Sequence, residues 1–302
     1  MKLGIVVVYL FGEESAPLLD IHLRHIERYT TVPYMIYAGV NRLAAPFRDA
    51  LARHPMVRIC ECPDTPFRSM KEHAHYLDYL VRFAVEEGVT HVVTLHLDSF
   101  PIRSGWAEEL AGKLSSSCVL VTIDRINTAC LFFHRDFYLR YRPSFLLSPA
   151  EREGAEYRRY IKEYDPFQHS GIGYGFTAYR NGKGWYYLKD TTAVDHSEPK
   201  QVYDDIMFHL GGAVFAGPTC LQSSGWFRSR VWGRLMKIAV EAVRVVTPGP
   251  VRTFLLEHFG SFIDRVVDKP QLTLRATIEA PKIQRFMEDP EKYLRLLRRK
   301  MK

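Results

Sequence analysis

The feature that most constrains the fold is an uninterrupted apolar run at residues 3–10 (LGIVVVYL). A strand that is apolar at every position, rather than at every second one, must be covered on both of its faces. Helices packed on both sides of a parallel sheet provide that cover. The run therefore predicts a central strand of an α/β fold.

Strand-like and helix-like segments alternate after this run. Such alternation predicts a mixed, mainly parallel sheet whose strands are joined by helical crossovers. The predicted strands lie at 33–39, 57–62, 91–97, 118–123 and 129–133, and the predicted helices at 18–26, 45–53 and 69–87. A further segment at 171–179 contains the sequence GIGYG, where we expect the backbone to pass close to a ligand or to another part of the chain.

The composition fits a folded protein without a membrane span. The chain has 302 residues, of which 47% are hydrophobic and 25% charged, enough to bury a full core. No apolar run approaches the ~20 residues that a membrane-spanning helix needs. Because Lys2 leads directly into a strand, we expect no signal peptide and a cytoplasmic location.

The positive charge is concentrated in residues 225–302. That segment has 17 Lys and Arg against 8 Asp and Glu, whereas the rest of the chain has 24 against 26. Amphipathic patterns at 226–246 and 292–302 predict basic helices that lie on an anionic membrane surface, so that the protein is peripherally membrane-associated. The alternative is that these helices pack on the main domain. A basic tail beside a slightly acidic body does not indicate a nucleic-acid partner.

The strongest chemical signal is the end of the predicted strand at 91–97. His96 and Asp98 follow an apolar stretch there, and ligands of open α/β sheets bind at the carboxyl ends of strands. If the strand continues through Asp98, both side chains point to the same face, where they can hold one cation. The alternative is that Asp98 caps the turn before Ser99 and Pro101.

Residues 95–102 (LHLDSFPI), followed by Trp106, resemble the segment of GT-A glycosyltransferases in which an apolar strand ends in an Asp-x-Asp motif. In that family the motif binds Mn²⁺ or Mg²⁺, which bridges the diphosphate of a nucleotide-sugar donor. By position, Asp98 matches the second Asp, and His96 stands where the first would be. The resemblance covers roughly residues 1–215 and implies a GT-A (Rossmann-like) sheet followed by a C-terminal helical extension.

The resemblance also implies roles for other residues. Donor contacts fall on the end of the first strand and on the polar face of the helix before the motif, although exposed helical histidines are usually only solvated. The downstream histidine that completes the metal site matches His209, with His196 as the competing candidate. An inverting reaction further needs a carboxylate base, whereas a retaining reaction does not need one in that position, and the sequence leaves both courses open. The candidates are, for the donor, Val8, Tyr9, Leu10, Phe11, His75, His96 and Asp98; for the metal, Asp98, His96 and His209; and for the base, Asp204, Asp205 and Asp195.

The predicted organisation is a catalytic domain at 1–224, with donor binding mainly in 1–125 and the acceptor side mainly in 126–224, and a basic, aromatic-rich helical extension at 225–302. The predicted activity is metal-dependent transfer of a sugar from a nucleotide-diphosphate sugar to a sugar, a lipid-linked acceptor or a small molecule. Two alternatives remain: a catalytically degenerate binding protein, because the first Asp is missing, and a nucleotidyltransferase. The acidic segment after the first strand, LFGEESAP, disfavours the latter.

Overall fold

The computed structural model describes residues 1–67, 69–164, 170–193, 201–211 and 282–298. Ten strands lie within them: β1 Leu3–Val8, β2 Tyr34–Gly39, β3 Val57–Cys60, β4 His91–Leu95, β5 Ser99–Pro101, β6 Cys118–Thr122, β7 Cys130–His134, β8 Gly184–Tyr187, β9 Val202–Tyr203 and β10 Met207–His209. The helices are α1 Ala16–Tyr29, α2 Ala45–Arg53, α3 Ser69–Glu86, α4 Trp106–Gly112, α5 Arg135–Tyr141, α6 Pro149–Glu153, α7 Ala155–Glu163, α8 Ile172–Arg180, α9 282–288 and α10 Pro290–Leu297.

Seven strands form the main sheet in the order β3-β2-β1-β4-β7-β6-β8. The pairs from β3 to β4 and the pair β6–β8 are parallel, and β7 runs antiparallel to both of its neighbours. The predicted α/β fold with a mixed, mainly parallel sheet is confirmed.

The central strand β1 is buried on both faces, as its apolar run predicts. Leu3, Ile5 and Val7 point into one core, which α1, α2 and α4 cover. Val6 and Val8 point into a second core, which α3, α5 and α8 cover. The alternation of side chains along a strand divides one apolar run between two helical layers.

A second, three-stranded sheet lies beyond the carboxyl end of β4, in the antiparallel order β5-β10-β9. The C-terminal helices α9 and α10 pack on it. The ring of Phe286 stacks on that of Phe208 at 5.3 Å between centroids. The Tyr293 hydroxyl donates a hydrogen bond to Gln201 Oε1 over 2.9 Å. The described part of the C-terminal segment is thus built into the same core as β1.

This packing bears on the basic amphipathic pattern at 292–302. Tyr293, Leu294 and Leu297 form the apolar face of α10, and all three are buried in the protein core. The apolar face of residues 290–297 therefore packs on the main domain, as the second of the two predictions for this segment states. The pattern at 226–246 lies outside the described residues. Among the described helices, none combines the length and apolar character needed to cross a bilayer.

The glycine-rich segment at 171–179 forms helix α8, and its close approach is to protein. A methyl group on Gly173 would overlap the backbone carbonyl of Ser144, and one on Gly175 would overlap the hydroxyl of Tyr160. These glycines let α8 lie directly against the loop that follows α5 and against α7.

We expect Gly173→Ala to lower the free energy of unfolding by about 3 kcal/mol or more, because the clash is with backbone that cannot rotate away. Gly112→Ala is the matched control: its methyl group meets no atom within 4 Å, and alanine favours a helix by about 0.5–1 kcal/mol. Urea unfolding followed by circular dichroism checks both. Equal midpoints for the two variants would contradict the close packing.

Candidate metal and donor site

The candidate site lies at the carboxyl end of β1 and β4. From β1 the chain proceeds outward through β2 and β3, and then returns to place β4 on the other side of β1. The strand order therefore reverses between β1 and β4. In open α/β sheets, ligands bind in the crevice at such a reversal. The segments that follow these two strands contain Tyr9 and the residues His96–Asp98.

The strand does not continue through Asp98, so the condition for His96 and Asp98 to share one strand face is not met: β4 ends at Leu95, two residues before the end predicted for it. The His96 N–H donates to Ser99 Oγ over 2.8 Å, and the Ser99 N–H donates to the His96 carbonyl over 3.0 Å. A serine side chain that bonds nearby backbone in this way replaces the ladder hydrogen bonds of a strand. The Ser99 hydroxyl also donates to the Ala129 carbonyl over 2.6 Å, which fixes this turn to the segment before β7.

His209 reaches the turn through the pairing of β10 with β5. His209 lies opposite Ser99 in the antiparallel register. The Leu210 N–H extends the pairing by donating to the Asp98 carbonyl over 2.9 Å. As a result, His209 Nε2 lies 3.8 Å from Asp98 Oδ1.

One nitrogen or carboxylate oxygen from each of His96, Asp98 and His209 lies within 4.8 Å of the others. We refer to these three residues as the His-Asp-His cluster. It is the one group of three such side chains with metal-ligand spacing in the described part of the chain. Asp98 is buried, whereas His96 and His209 are half-buried, so the cluster opens on one side.

His96 is held as a neutral, oriented imidazole. Burial lowers its pKa well below the usual value, and the neighbouring imidazoles of His73, His209 and His22 lower it further. Its Nε2 lies 2.9 Å from the Thr128 hydroxyl, which in turn lies 2.8 Å from the Ser170 hydroxyl. This contact fixes the orientation of the His96 ring.

Two further histidines line the cluster: His73, which belongs to the polar helix face that the resemblance turns toward the donor, and His22, which sequence analysis did not select. The His73 ring lies 5.2 Å from that of His96, and burial lowers the pKa of His73 to about 4. His22 is fully buried, and burial lowers its pKa to about 3. Spacing was the available signal for His22, since it lies four residues from both Leu18 and Ile26 on the apolar face of α1.

His75, the predicted donor residue of α3, lies away from the cluster. Residues two apart in a helix project about 200° apart, so His73 and His75 face different sides. His75 Nε2 lies 3.3 Å from the Pro63 carbonyl, and its ring packs on Tyr79 at 5.0 Å. The donor contact of His75 stays a prediction.

The four residues predicted to contact the donor at the end of β1 differ in the groups that they offer to a ligand. The side chains of Val8 and Tyr9 are buried in the two cores, while Leu10 and Phe11 are half-buried. The Phe11 ring lies 5.3 Å from that of Phe47. Leu10 and Phe11 therefore offer side-chain surface to a ligand, and Val8 and Tyr9 offer only backbone.

The predicted bases Asp204 and Asp205 lie in the turn between β9 and β10. Asp204 Oδ1 accepts the Lys189 N–H over 2.9 Å, and Oδ2 lies 3.3 Å from Lys113 Nζ. The Ile102 N–H donates to the carbonyl of Ile206, which places this turn at the opposite end of β5 from Asp98. Their role as bases stays a prediction. Asp195 and His196 lie outside the described residues.

The donor set of the cluster fits a divalent cation. Neutral imidazoles and a carboxylate suit Mn²⁺ and similar transition ions, whereas Mg²⁺ prefers a shell of oxygen ligands. Gly211 follows His209 by two residues, and a methyl group on it would lie 3.9 Å from His209 Cε1. Gly211 thus lies beside the cluster, with a φ of +71° that glycine adopts without strain.

No protein-family profile and no curated protein sequence matches this chain. Among solved structures, it resembles the mannosyltransferase PcManGT from Pyrobaculum calidifontis in complex with GDP-Man and Mn²⁺, with 13% identity, 93% of this chain and 87% of that chain covered, and a TM-score of 0.44. Mouse xyloside xylosyltransferase 1, in its apo form, shows 10% identity, 64% and 87% coverage, and a TM-score of 0.39.

The glycosyltransferase GlyE from Streptococcus pneumoniae TIGR4 shows 10% identity, coverage of 63% of this chain and 46% of that chain, and a TM-score of 0.36. At such identities and TM-scores, these resemblances leave the function of this chain to be argued from its own site.

We expect Asp98→Asn to weaken Mn²⁺ binding more than any other single change in the cluster, because it removes the only carboxylate among the three residues. Thr128→Val removes the hydroxyl that orients His96 and should weaken binding by about 10–100-fold. Titration of Mn²⁺ followed by electron paramagnetic resonance measures both, with Asp136→Asn, an exposed carboxylate, as control. Wild-type affinity in Asp98→Asn would exclude this cluster as the metal site.

Proposed function

We propose that this chain is a glycosyltransferase that binds a nucleotide-diphosphate sugar with Mn²⁺ at the His-Asp-His cluster. The observation that carries the proposal is the position of the cluster, at the carboxyl end of β4 beside the reversal of strand order. A site at that position with transition-metal ligands suits a substrate whose nucleoside lies against β1 and whose diphosphate lies against β4.

Charge supports a diphosphate ligand. The cluster contains a single carboxylate, and the imidazole of His96, whose pKa is lowered, adds no negative charge. With a divalent cation bound, the three side chains and the ion carry a net charge of about +1. Mn²⁺ would supply Lewis-acid neutralisation of the diphosphate that leaves the sugar. Asp98, His96 and His209 would hold the ion, while Thr128 and Ser170 orient His96.

The nucleoside end is assigned to the segment that follows β1. Phe11, beside Phe47, provides an aromatic surface on which a planar base can stack, and the backbone at Tyr9 and Leu10 provides polar groups at the same edge. Tyr9 N–H is already bound to the Gly39 carbonyl over 2.9 Å, which fixes this backbone in place. A preorganised edge of this kind lowers the cost of binding.

The segment after β1 does not support the nucleotidyltransferase alternative. The segment after β1 forms a short turn at Glu13–Ser15 and then α1, whose first turn contains Pro17. Lys and Arg are absent from the segment between Val8 and Arg24, so it offers no basic loop for a triphosphate. The degenerate-binder alternative predicts nucleotide binding without turnover, and the experiment below distinguishes it.

We expect UDP or GDP to bind wild-type protein at least about tenfold more tightly with Mn²⁺ than without it, a difference of ~1.4 kcal/mol or more. Asp98→Asn should abolish that enhancement, while Asp136→Asn should behave as wild type. Isothermal titration calorimetry of each nucleotide, with and without Mn²⁺, makes the measurement.

The next measurement is release of UDP or GDP from a panel of nucleotide sugars in the presence of Mn²⁺. Release by wild type and its loss in Asp98→Asn support catalysis. Tight binding of the nucleotides without release from any donor would favour the degenerate binder, and no binding of either nucleotide would contradict the proposed function.

A further inference from the structure

A second cleft opens at the other end of β4 from the His-Asp-His cluster. It has a volume of about 370 Å³, and its lining includes His91, the first residue of β4, and His134, the last residue of β7. Strand β4 is five residues long, and a strand rises about 3.3 Å per residue, so roughly 15 Å separate the cleft from the cluster. The two therefore lie at opposite edges of the main sheet.

Part of the cleft lining is apolar. Phe137 and Tyr141 of α5 contribute to it, together with Leu114, which follows α4, and Val119 of β6. Leu114, Val119 and Tyr141 are half-buried, so they retain apolar surface that a ligand can cover. The volume lies toward the lower end of the range for small-molecule sites, about 300–1,000 Å³. The lining thus suits a ligand with a small apolar body.

Two cations border the same cleft, and neither has a carboxylate partner in the part of the chain that the structure describes. Lys183 Nζ donates to the backbone carbonyl of Ser116 over 2.7 Å, which is a neutral acceptor. The Arg140 guanidinium lies 5.2 Å from the centre of the Tyr141 ring. Neither contact supplies a negative charge, so both cations can pair with a charge on a ligand.

His134 adds a hydrogen-bond donor to the cleft. The Asp136 N–H donates to His134 Nδ1 over 3.2 Å, so the neutral ring carries its proton on Nε2. That Nε2–H has no acceptor among the described residues. Asp136 is the one acidic residue among those described that line the cleft; its side chain is 73% exposed and lies 4.0 Å from Arg135 Nε. With two cations against one carboxylate, the lining is net positive.

We propose that this cleft is a second binding site, for a small organic anion with an apolar or aromatic body and one anionic group, a carboxylate or a phosphate. The body would cover Val119 and Phe137, and the anionic group would meet Arg140, Lys183 and the Nε2–H of His134. A neutral ligand would leave both cations without a counter-charge. The inference does not rest on the proposed function, because the cleft and the cluster share no residue.

The test uses two anionic ligands, phenylacetate and phenyl phosphate, and phenylacetamide as the neutral counterpart of the first. Ligand-observed NMR measures their affinity for wild type, Arg140→Met, Lys183→Met and Lys162→Met. Lys162 is an exposed residue of α7 that does not line the cleft, so its substitution is the matched control for the loss of one positive charge. The comparison of the two anions distinguishes a carboxylate site from a phosphate site, and thermal unfolding verifies that each variant is folded.

We expect at least one anion to bind wild type with a dissociation constant of about 5 mM or lower, and about tenfold more tightly than phenylacetamide. Arg140→Met and Lys183→Met should each weaken anion binding by about three- to fivefold, because charge pairs that stay partly exposed contribute modestly. Anion affinity should fall as the salt concentration rises. Lys162→Met should match wild type, and so should Asp98→Asn, which changes only the cluster.

Equal affinity for the anions and the amide would overturn the inference, as would failure of both anions to bind. Wild-type anion affinity in both Arg140→Met and Lys183→Met would also overturn it, because the anion would then bind elsewhere. Loss of anion binding in Asp98→Asn would place the anion at the cluster and reject the second site. None of these outcomes depends on whether the cluster binds Mn²⁺ or a nucleotide, so the inference and the proposed function fail separately.

Discussion

The pairing of β5 with β10 is the constraint on which the candidate site depends. Asp98 and His209 are far apart in the chain, and they meet because Ser99 lies opposite His209 and the Leu210 N–H bonds to the Asp98 carbonyl. A slip of one residue in this register would turn His209 to the other face of the small sheet. The helices α9 and α10 brace the same sheet through Phe286 and Tyr293, so the geometry of the His-Asp-His cluster depends on packing from the C-terminal segment.

Much of the main sheet could be predicted from the sequence because its signals are local. The apolar run at 3–10 specifies a strand covered on two faces, and the structure divides those side chains between two cores. The selection of His96 and Asp98 also rested on a local signal, polar residues after an apolar strand. Their actual arrangement depends on Ser99, whose side-chain hydrogen bonds end β4 at Leu95. A hydrophobicity pattern does not predict that a side chain will replace backbone partners in the hydrogen bonds at the end of a strand.

The rest of the site depends on contacts between distant segments, which no spacing rule supplies. His73 and His75 look alike in the sequence, and only the orientation of α3 against the end of β4 decides that His73 meets His96. The amphipathic pattern at 292–302 specifies that one face of a helix must be covered, but it does not specify the cover. In the structure the cover for 290–297 is the small sheet and its surroundings.

His96 changes the charge of the candidate site relative to an Asp-x-Asp motif. A neutral imidazole in place of the first aspartate removes one negative charge from the cluster, so the metal-free site attracts a divalent cation less strongly. The same exchange leaves the metal-loaded site more positive, and so it attracts a diphosphate more strongly. With the proposed function, this balance implies that cation and nucleotide bind cooperatively, each making up a charge that the other requires, and reciprocity demands that the nucleotide tighten Mn²⁺ binding by the same factor.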